Sequence, residues 1–237
     1  MGVNAQTSVP AFTAGQVLTA AEMTEVNTGI PVFATTTTRD AAFGGTGEKV
    51  LAEGQFAYIE ATNTTQYYDG AAWQSLTAGL SLITAQAIGT GVSSVTVSSV
   101  FSASYENYLI TMEGCQWSAD DQAVTFILVG STASYYSNLL ITRYDTGAVT
   151  NLNRNNAASA YISISDVNKA QNFLMNIFNP FTTDYTNWSG TANGYLFSGA
   201  IGGSHRVNTS YSSFTIAAAG GATLTGGTIR VYGYTNS

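Results

Sequence analysis

The side chains able to do chemistry are few and scattered. One cysteine, one histidine and fourteen carboxylates are spread over 237 residues. Sugar hydrolysis would need two carboxylates about 5–10 Å apart, one of them with its pKa raised by burial. Asp120, Asp121, Asp145, Asp166 and Asp184 are the candidates, but each stands among turn-forming polar residues and is expected to be a solvated loop carboxylate. His205, in Gly202-Gly203-Ser204-His205-Arg206, is expected on a loop, where no Cys/His or Ser-His-Asp constellation forms around it. The same counts leave too few ligands for zinc unless copies share them. Cys115 has no disulfide partner and is expected to be a small buried hydrophobe. Gly44-Gly45-Thr46-Gly47-Glu48-Lys49 invites a phosphate-loop reading, but Glu48 puts a negative charge where phosphate must sit, so it is expected to be a glycine-rich turn. The expectation is a protein that is not an enzyme and takes no cofactor and no metal.

Composition narrows the partners. Charged residues make up 9% of the chain, against an ordinary share of about 25%. Hydrophobic residues make up 45% and aromatics 12%, which excludes a disordered chain. With a net charge of −7 and only seven Lys and Arg, scattered along the chain, no basic stripe exists for a phosphate backbone, so no nucleic acid is expected. No apolar run reaches the length of a membrane span, and no secretory signal opens the chain. No membrane insertion is expected, and synthesis in a cytoplasm is.

The elements that position these residues begin with a capped helix. Thr19-Ala20-Ala21-Glu22 has the form of a capping box, with Leu18 and Met23 placed as a hydrophobic staple and Gly29-Ile30-Pro31 as a stop. The helix is predicted over 20–28. So short a helix is marginal in water, and its small apolar set, chiefly Leu18, Met23, Val26 and Ile30, is expected to dock onto another protein or a second copy. Residues 32–51 look like a linker with turns. Residues 53–76 form a small β-meander, with Asp69-Gly70 as a turn signal. The meander is too small to stand alone. Residues 1–79 are therefore expected to be one attachment module.

Residues 77–90 look like a connection, and strand follows strand beyond it. Val124–Val129 is a continuous apolar run suited to a strand covered on both faces. Phe173, Met175 and Ile177 share a face, as do Ile229 and Val231. Nine or ten strands with no intervening helix predict a mainly β fold, an antiparallel jelly-roll-like β-sandwich over residues 80–237.

Phe12-x-x-Gly15-x-x-Leu18-Thr19-Ala20-Ala21-Glu22-Met23, followed by Arg39-Asp40-Ala41, Phe43-Gly44-Gly45, Glu53-Gly54, Tyr67-Tyr68-Asp69-Gly70 and Trp73, resembles the N-terminal module of tailed-bacteriophage structural proteins. These are minor tail, tail-fibre and head-fibre proteins, and the likeness spans roughly residues 10–76. Phe101, Tyr105-x-Asn107-Tyr108-x-Ile110, Asn179-Pro180 and Gly227-Thr228-Ile229-Arg230-Val231-Tyr232-Gly233-Tyr234 resemble C-terminal domains of phage fibre proteins. The resemblance implies a virion protein, docked to other virion proteins of tail or capsid through its N-terminal module.

Three functions follow as expectations. As a tail fibre or tail-associated adhesin, the chain would present sandwich loops to a host surface glycan or protein, with Trp117, Tyr135, Tyr136, Tyr185 and Trp188 as exposed aromatics for stacking. As a capsid decoration or head-fibre protein, it would bind no ligand. As a polysaccharide depolymerase, it would more commonly be a longer parallel β-helix, and no fixed-period repeat is present. The low charge and the marginal helix and meander predict a homo-oligomer, most simply a homotrimer.

Overall fold

Alternation of apolar and polar residues recurs beyond Leu80, and there it builds sheets. The computed structural model describes residues 6–7, 9, 11–21, 23, 29–46, 48–76 and 79–235. The chain divides into two units, residues 1–78 and 79–237.

In the first unit, β1 (Val32–Phe33) pairs in parallel with β2 (Phe56–Ile59), which continues antiparallel into β3 (Thr64–Tyr68) and β4 (Trp73–Ser75). The helix predicted over 20–28 is described only at Ala20, Ala21 and Met23, which are helical. The Met23 N–H donates to the Thr19 carbonyl at 3.0 Å. Glu22 and Val26 lie outside the described residues. A capping box is seen further on, at a short helix α1 (Thr36–Asp40). There the Thr38 N–H donates to Thr35 Oγ1 at 3.2 Å and the Thr35 N–H to Thr38 Oγ1 at 3.0 Å.

Residues 32–51 are therefore more than a linker. Phe33 and Ala42 join Val9, Ala57 and Ile59 in a small core, against which Phe43 and Trp73 pack. Arg39 is buried with its guanidinium 4.6 Å from the Trp73 ring centroid, and it bonds to Asp40 and Gln66. The glycine-rich turn is closed by its own carboxylate, Glu48 Oε2 accepting from the Gly45 N–H at 2.8 Å.

The second unit is an antiparallel sandwich. Its strands are β5 (Leu80–Ala87), β6 (Ser94–Val97), β7 (Asn107–Trp117), β8 (Ala123–Leu128), β9 (Tyr135–Arg143), β10 (Val149–Ala157), β11 (Ala160–Ile164), β12 (Gln171–Phe178), β13 (Thr186–Asn193), β14 (Phe197–His205), β15 (Phe214–Ala218), β16 (Leu224–Thr225) and β17 (Thr228–Tyr234). One sheet runs β10-β9-β14-β13-β12-β7-β17-β5, with β16 also on β7, and the other runs β11-β8-β15-β6. The expected connection at 77–90 is in fact mostly the strand β5.

The pairing is nested: β5 with β17, β6 with β15, β7 with β12, β8 with β11. That is a long antiparallel ribbon rolled up on itself, the plan of a jelly roll. Two hairpins are inserted into it, β9–β10 between β8 and β11, and β13–β14 between β12 and β15. They pair with each other through β9 and β14 and widen one sheet.

The core lies between the sheets, where Phe214 stacks on Phe101 at a centroid distance of 5.7 Å and meets Phe126 at 5.5 Å, and Phe126 meets Trp188 at 5.8 Å. Phe173, Met175 and Ile177 point inward from β12, and Ile229 and Val231 from β17. Of the run 124–129, Val124, Phe126 and Leu128 are fully buried while Val129 is 46% exposed beyond the strand end. Gly227 lets β17 pass close to β7: its φ is +84°, and a Cβ there would lie 2.5 Å from the Glu113 carbonyl oxygen. Both edges of the large sheet carry a bulge, at Ile83 in β5 and between Arg154 and Ala157 in β10, which blunts them against strand-to-strand addition.

Candidate functional site

The inserted hairpins extend the large sheet, and β11 packs beneath β9 and β14. Beside β11 the inner face of β10 overhangs and leaves a cleft of about 260 Å³, lined by Asp121, Ile141, Arg143, Thr150, Leu152 and Ile164. Strand parity explains the lining. Ile141 and Arg143 lie on the inward face of β9 with Tyr135 and Leu139, and Arg143 is the last residue on that face. Its guanidinium pairs with the Asp121 carboxylate, which comes from the turn leading into β8 and the opposite sheet.

That turn is held in place by its neighbours. Asp121 has a positive φ of 55°, a left-handed conformation that Asp tolerates better than most residues. The Asp121 N–H donates to the Ser165 carbonyl at 2.8 Å and the Gln122 N–H to Ser165 Oγ at 3.0 Å. Ser165 Oγ in turn donates to the Ala119 carbonyl at 2.7 Å, and the Val167 N–H donates to Asp120 Oδ1 at 2.6 Å. The Asp121 side chain remains 62% exposed and that of Arg143 25%, so the pair sits at the mouth with an apolar floor behind it.

The strand directions place this cleft at one end of the sandwich. The loops after β7, β9, β11 and β13 meet there and bring Tyr144 and Tyr195, 59% and 64% exposed, with Lys169 Nζ 4.8 Å from the Tyr195 ring centroid. The chain enters the sandwich at Leu80, which pairs with Tyr234 at the opposite end. That end also holds Phe181 and Tyr185.

The aromatics expected on loops divide between core and surface. Trp117, Tyr135 and Trp188 lie on β7, β9 and β13 at 1%, 0% and 3% exposure, so they are core residues and cannot stack on a ligand. Asn187 and Ser189, the polar residues flanking Trp188, are the outward-facing positions of β13. Tyr136 is half-buried with the Arg206 guanidinium 4.1 Å from its ring centroid, and Tyr185 is 45% exposed. Tyr144 and Tyr195 were not among the expected residues.

His205 is no loop residue either. It ends β14, fully buried against Tyr135 and Tyr211. Asp166 is buried, unlike the other four aspartates considered, and its Oδ2 takes a long 3.4 Å bond from the Leu196 N–H. Burial pushes the Cys115 thiol up to about 11 and the Tyr135 phenol up to about 12. Among the described residues no group of three or more potential metal ligands gathers, and no helix is long and apolar enough to cross a membrane.

No protein-family model and no curated protein matches this chain significantly.

On the N-terminal unit, three of the residues expected to dock are exposed: Leu18 at 40%, Met23 at 54% and Ile30 at 40%. Phe12 and Val17 beside them are exposed as well. On the sandwich, the outward-facing residues of β9, β10, β12, β13 and β14 include no charged side chain; they are mainly Asn, Ser and Thr, with Leu140 and Leu174 among them. So broad an uncharged face is unusual in a chain carrying −7.

Proposed function

We propose that this protein is a structural component of a tailed-phage virion, a tail fibre or tail-associated adhesin that docks by its N-terminal unit and presents the sandwich to the host surface. The observation that carries the reading is the polarity of the sandwich. The chain enters at Leu80, while the cleft and the exposed Tyr144 and Tyr195 lie at the other end of the strands. A module tethered at one end and equipped at the other suits presentation. The exposed Leu18, Met23 and Ile30 suit attachment to another virion protein.

The chain is proposed to act without catalysis and as a homotrimer. With both edges of the large sheet bulged, copies would meet through faces, and the uncharged outer face allows contact without bringing like charges together. Light scattering of the full chain at micromolar concentration should give three times the monomer mass; a monomer would sink the trimer.

Immunogold electron microscopy of intact particles, with antibody against residues 80–237, tests the main reading. Label on fibres or the tail tip supports it. Label over the shell favours a capsid decoration or head-fibre protein, for which the broad neutral face would serve as a covering surface. Absence of label from every virion overturns the reading.

A further inference from the structure

We propose that the cleft between β9, β10 and β11 binds one neutral pyranose, the terminal residue of a glycan; its source on a host surface rests on the attachment reading, while its chemistry does not. Size sets the first limit. At about 260 Å³ the cleft falls just under the roughly 300–1,000 Å³ of sites for drug-sized ligands, so it has room for one ring and not for an oligosaccharide.

Its lining sets the second. Half-buried Leu152 offers an apolar surface to the C–H face of a ring, backed by the buried Ile141 and Ile164, and exposed Thr150 adds a hydroxyl. At the mouth Arg143 meets Asp121 through one guanidinium nitrogen, which leaves further N–H donors on the arginine and lone pairs on the carboxylate. A donor and an acceptor side by side match two hydroxyls on adjacent carbons, because each hydroxyl both donates and accepts. A pyranose supplies both together, an apolar C–H face and vicinal hydroxyls at its rim.

Charge sets the third. The Arg143 and Asp121 charges cancel, and a chain carrying −7 gives no attraction to a sugar acid or phosphate. The bonds that the Asp121 and Gln122 N–H groups donate to Ser165 hold the turn, with Asp121 in its left-handed conformation, before any ligand arrives, so little ordering is left to oppose binding.

The test uses the full chain and the methyl glycosides of glucose, galactose, mannose and N-acetylglucosamine, read by saturation-transfer NMR. At least one should receive transfer, strongest at the protons of one ring face. Asp121→Asn keeps a residue that tolerates positive φ and should weaken binding by about tenfold. Thr150→Trp, at an exposed edge-strand position, should fill the cleft and abolish transfer, and a thermal melt close to that of the parent shows each variant folded. Leu140→Trp, on the outer face of β9, should leave binding unchanged. No transfer to any of the four sugars, or transfer undiminished in Thr150→Trp, overturns the proposal.

Neutral oligosaccharides ending in the bound sugar should also bind if a glycan end is the source; binding of the simple glycosides alone supports the cleft with a free sugar as its ligand. Sugar binding without label on any virion removes the attachment reading and leaves the cleft standing. Tail label without sugar binding does the reverse.

Discussion

Nε2 of His205 lies 2.7 Å from Ser131 Oγ and 3.1 Å from the carbonyl oxygen of Ala133. A carbonyl only accepts, so Nε2 carries the ring proton and Nδ1 is bare. Nδ1 is buried with no hydrogen-bond partner among the described residues. Protonating it would place a charge among Tyr135 and Tyr211 with nothing to receive it, and burial accordingly holds the His205 pKa below the usual 6.5. The unfolded chain takes up this proton more readily than the folded one. The contribution to stability is thus complete above pH 6.5 and is lost as pH falls through the folded value. Urea midpoints should hold steady above pH 6.5 and drop as the pH is lowered below it, and His205→Gln should flatten that slope whatever it does to the midpoint itself. An unchanged slope in the variant would assign the pH dependence elsewhere.

Cys115 is sealed in the core with its thiol pushed up to about 11. Since the thiolate is the reactive form, the native chain should resist a disulfide reagent at pH 8 for hours, and the same reagent should label one thiol per chain at once in strong guanidinium. Fast native labelling would mean that the sheets separate locally far more often than the packing implies.

Gly227→Ala should be among the most damaging single changes. The new Cβ would lie 2.5 Å from the Glu113 carbonyl oxygen and 2.7 Å from the Cys115 nitrogen, at a φ of +84°. Neither neighbour is a flexible side chain, so relief requires β17 and β7 to part. A loss of about 3 kcal/mol or more is expected from denaturant titration. A near-neutral result would show the register around Gly114 and Gly227 to be different.

Trp188 rests on Gly203, where a Cβ would come within 2.4 Å of the indole ring. Trp188→Ala should cost about 3–5 kcal/mol through the cavity it leaves, and Gly203→Ala about 1–3 kcal/mol by overpacking. In the double variant the methyl enters the vacated space, so the two losses should sum to clearly less than their separate total. Strict additivity would argue that the ring does not lie over Gly203.

Asp69 organises the turn of the N-terminal meander. Its Oδ1 accepts from the Ala72 and Ala71 N–H groups at 2.7 and 2.8 Å, and Oδ2 accepts from Gln74 at 2.8 Å. The bond from Ala72, followed by those from Ala71 and Gln74, holds its carboxyl below the usual 3.8. The turn should thus persist at mild acidity and open as pH falls through the depressed value, below 3.8. Asp69 carboxyl shifts in an NMR titration should show a midpoint under 3.8, and Asp69→Ala should raise amide exchange at Ala71 and Ala72.

Strands whose inner residues are large were legible from their alternation; β12, with Phe173, Met175 and Ile177, is the clearest. Strand β10 was not, because an edge strand over an overhang buries little and only Leu152 gives it an apolar beat. Strand β13 was hidden by Gly190 and Ala192 on its inner face, small because β12 passes close: a Cβ at Gly190 would lie 2.1 Å from the Leu174 carbonyl oxygen. With β13 unseen, Trp188 had only polar neighbours to describe it and looked like a loop residue. The short helix α1 escaped because Thr is a poor helix former, and it stands on a cap that two threonines build between them. Of the cleft, one half was visible as an aspartate among turn residues. Arg143 had a signal too, since it keeps the inward parity of Tyr135, Leu139 and Ile141. The approach of those two side chains across the sheets is a property of the rolled ribbon, which no local pattern encodes.

The place of β17 has a consequence for how the protein is made. Among the described residues β17 is the only strand paired with β5, and β17 fills the slot between β5 and β7. Some 150 residues of chain separate the two partners, which at ribosomal speeds of about 5–20 residues per second is on the order of ten to thirty seconds of translation. Throughout that interval Leu80–Ala87 waits unpaired, and once β7 is made an open slot runs along it as well. A neighbouring polypeptide with a strand to lend can intrude there, so crowding and slow elongation should lower the yield of correctly closed molecules.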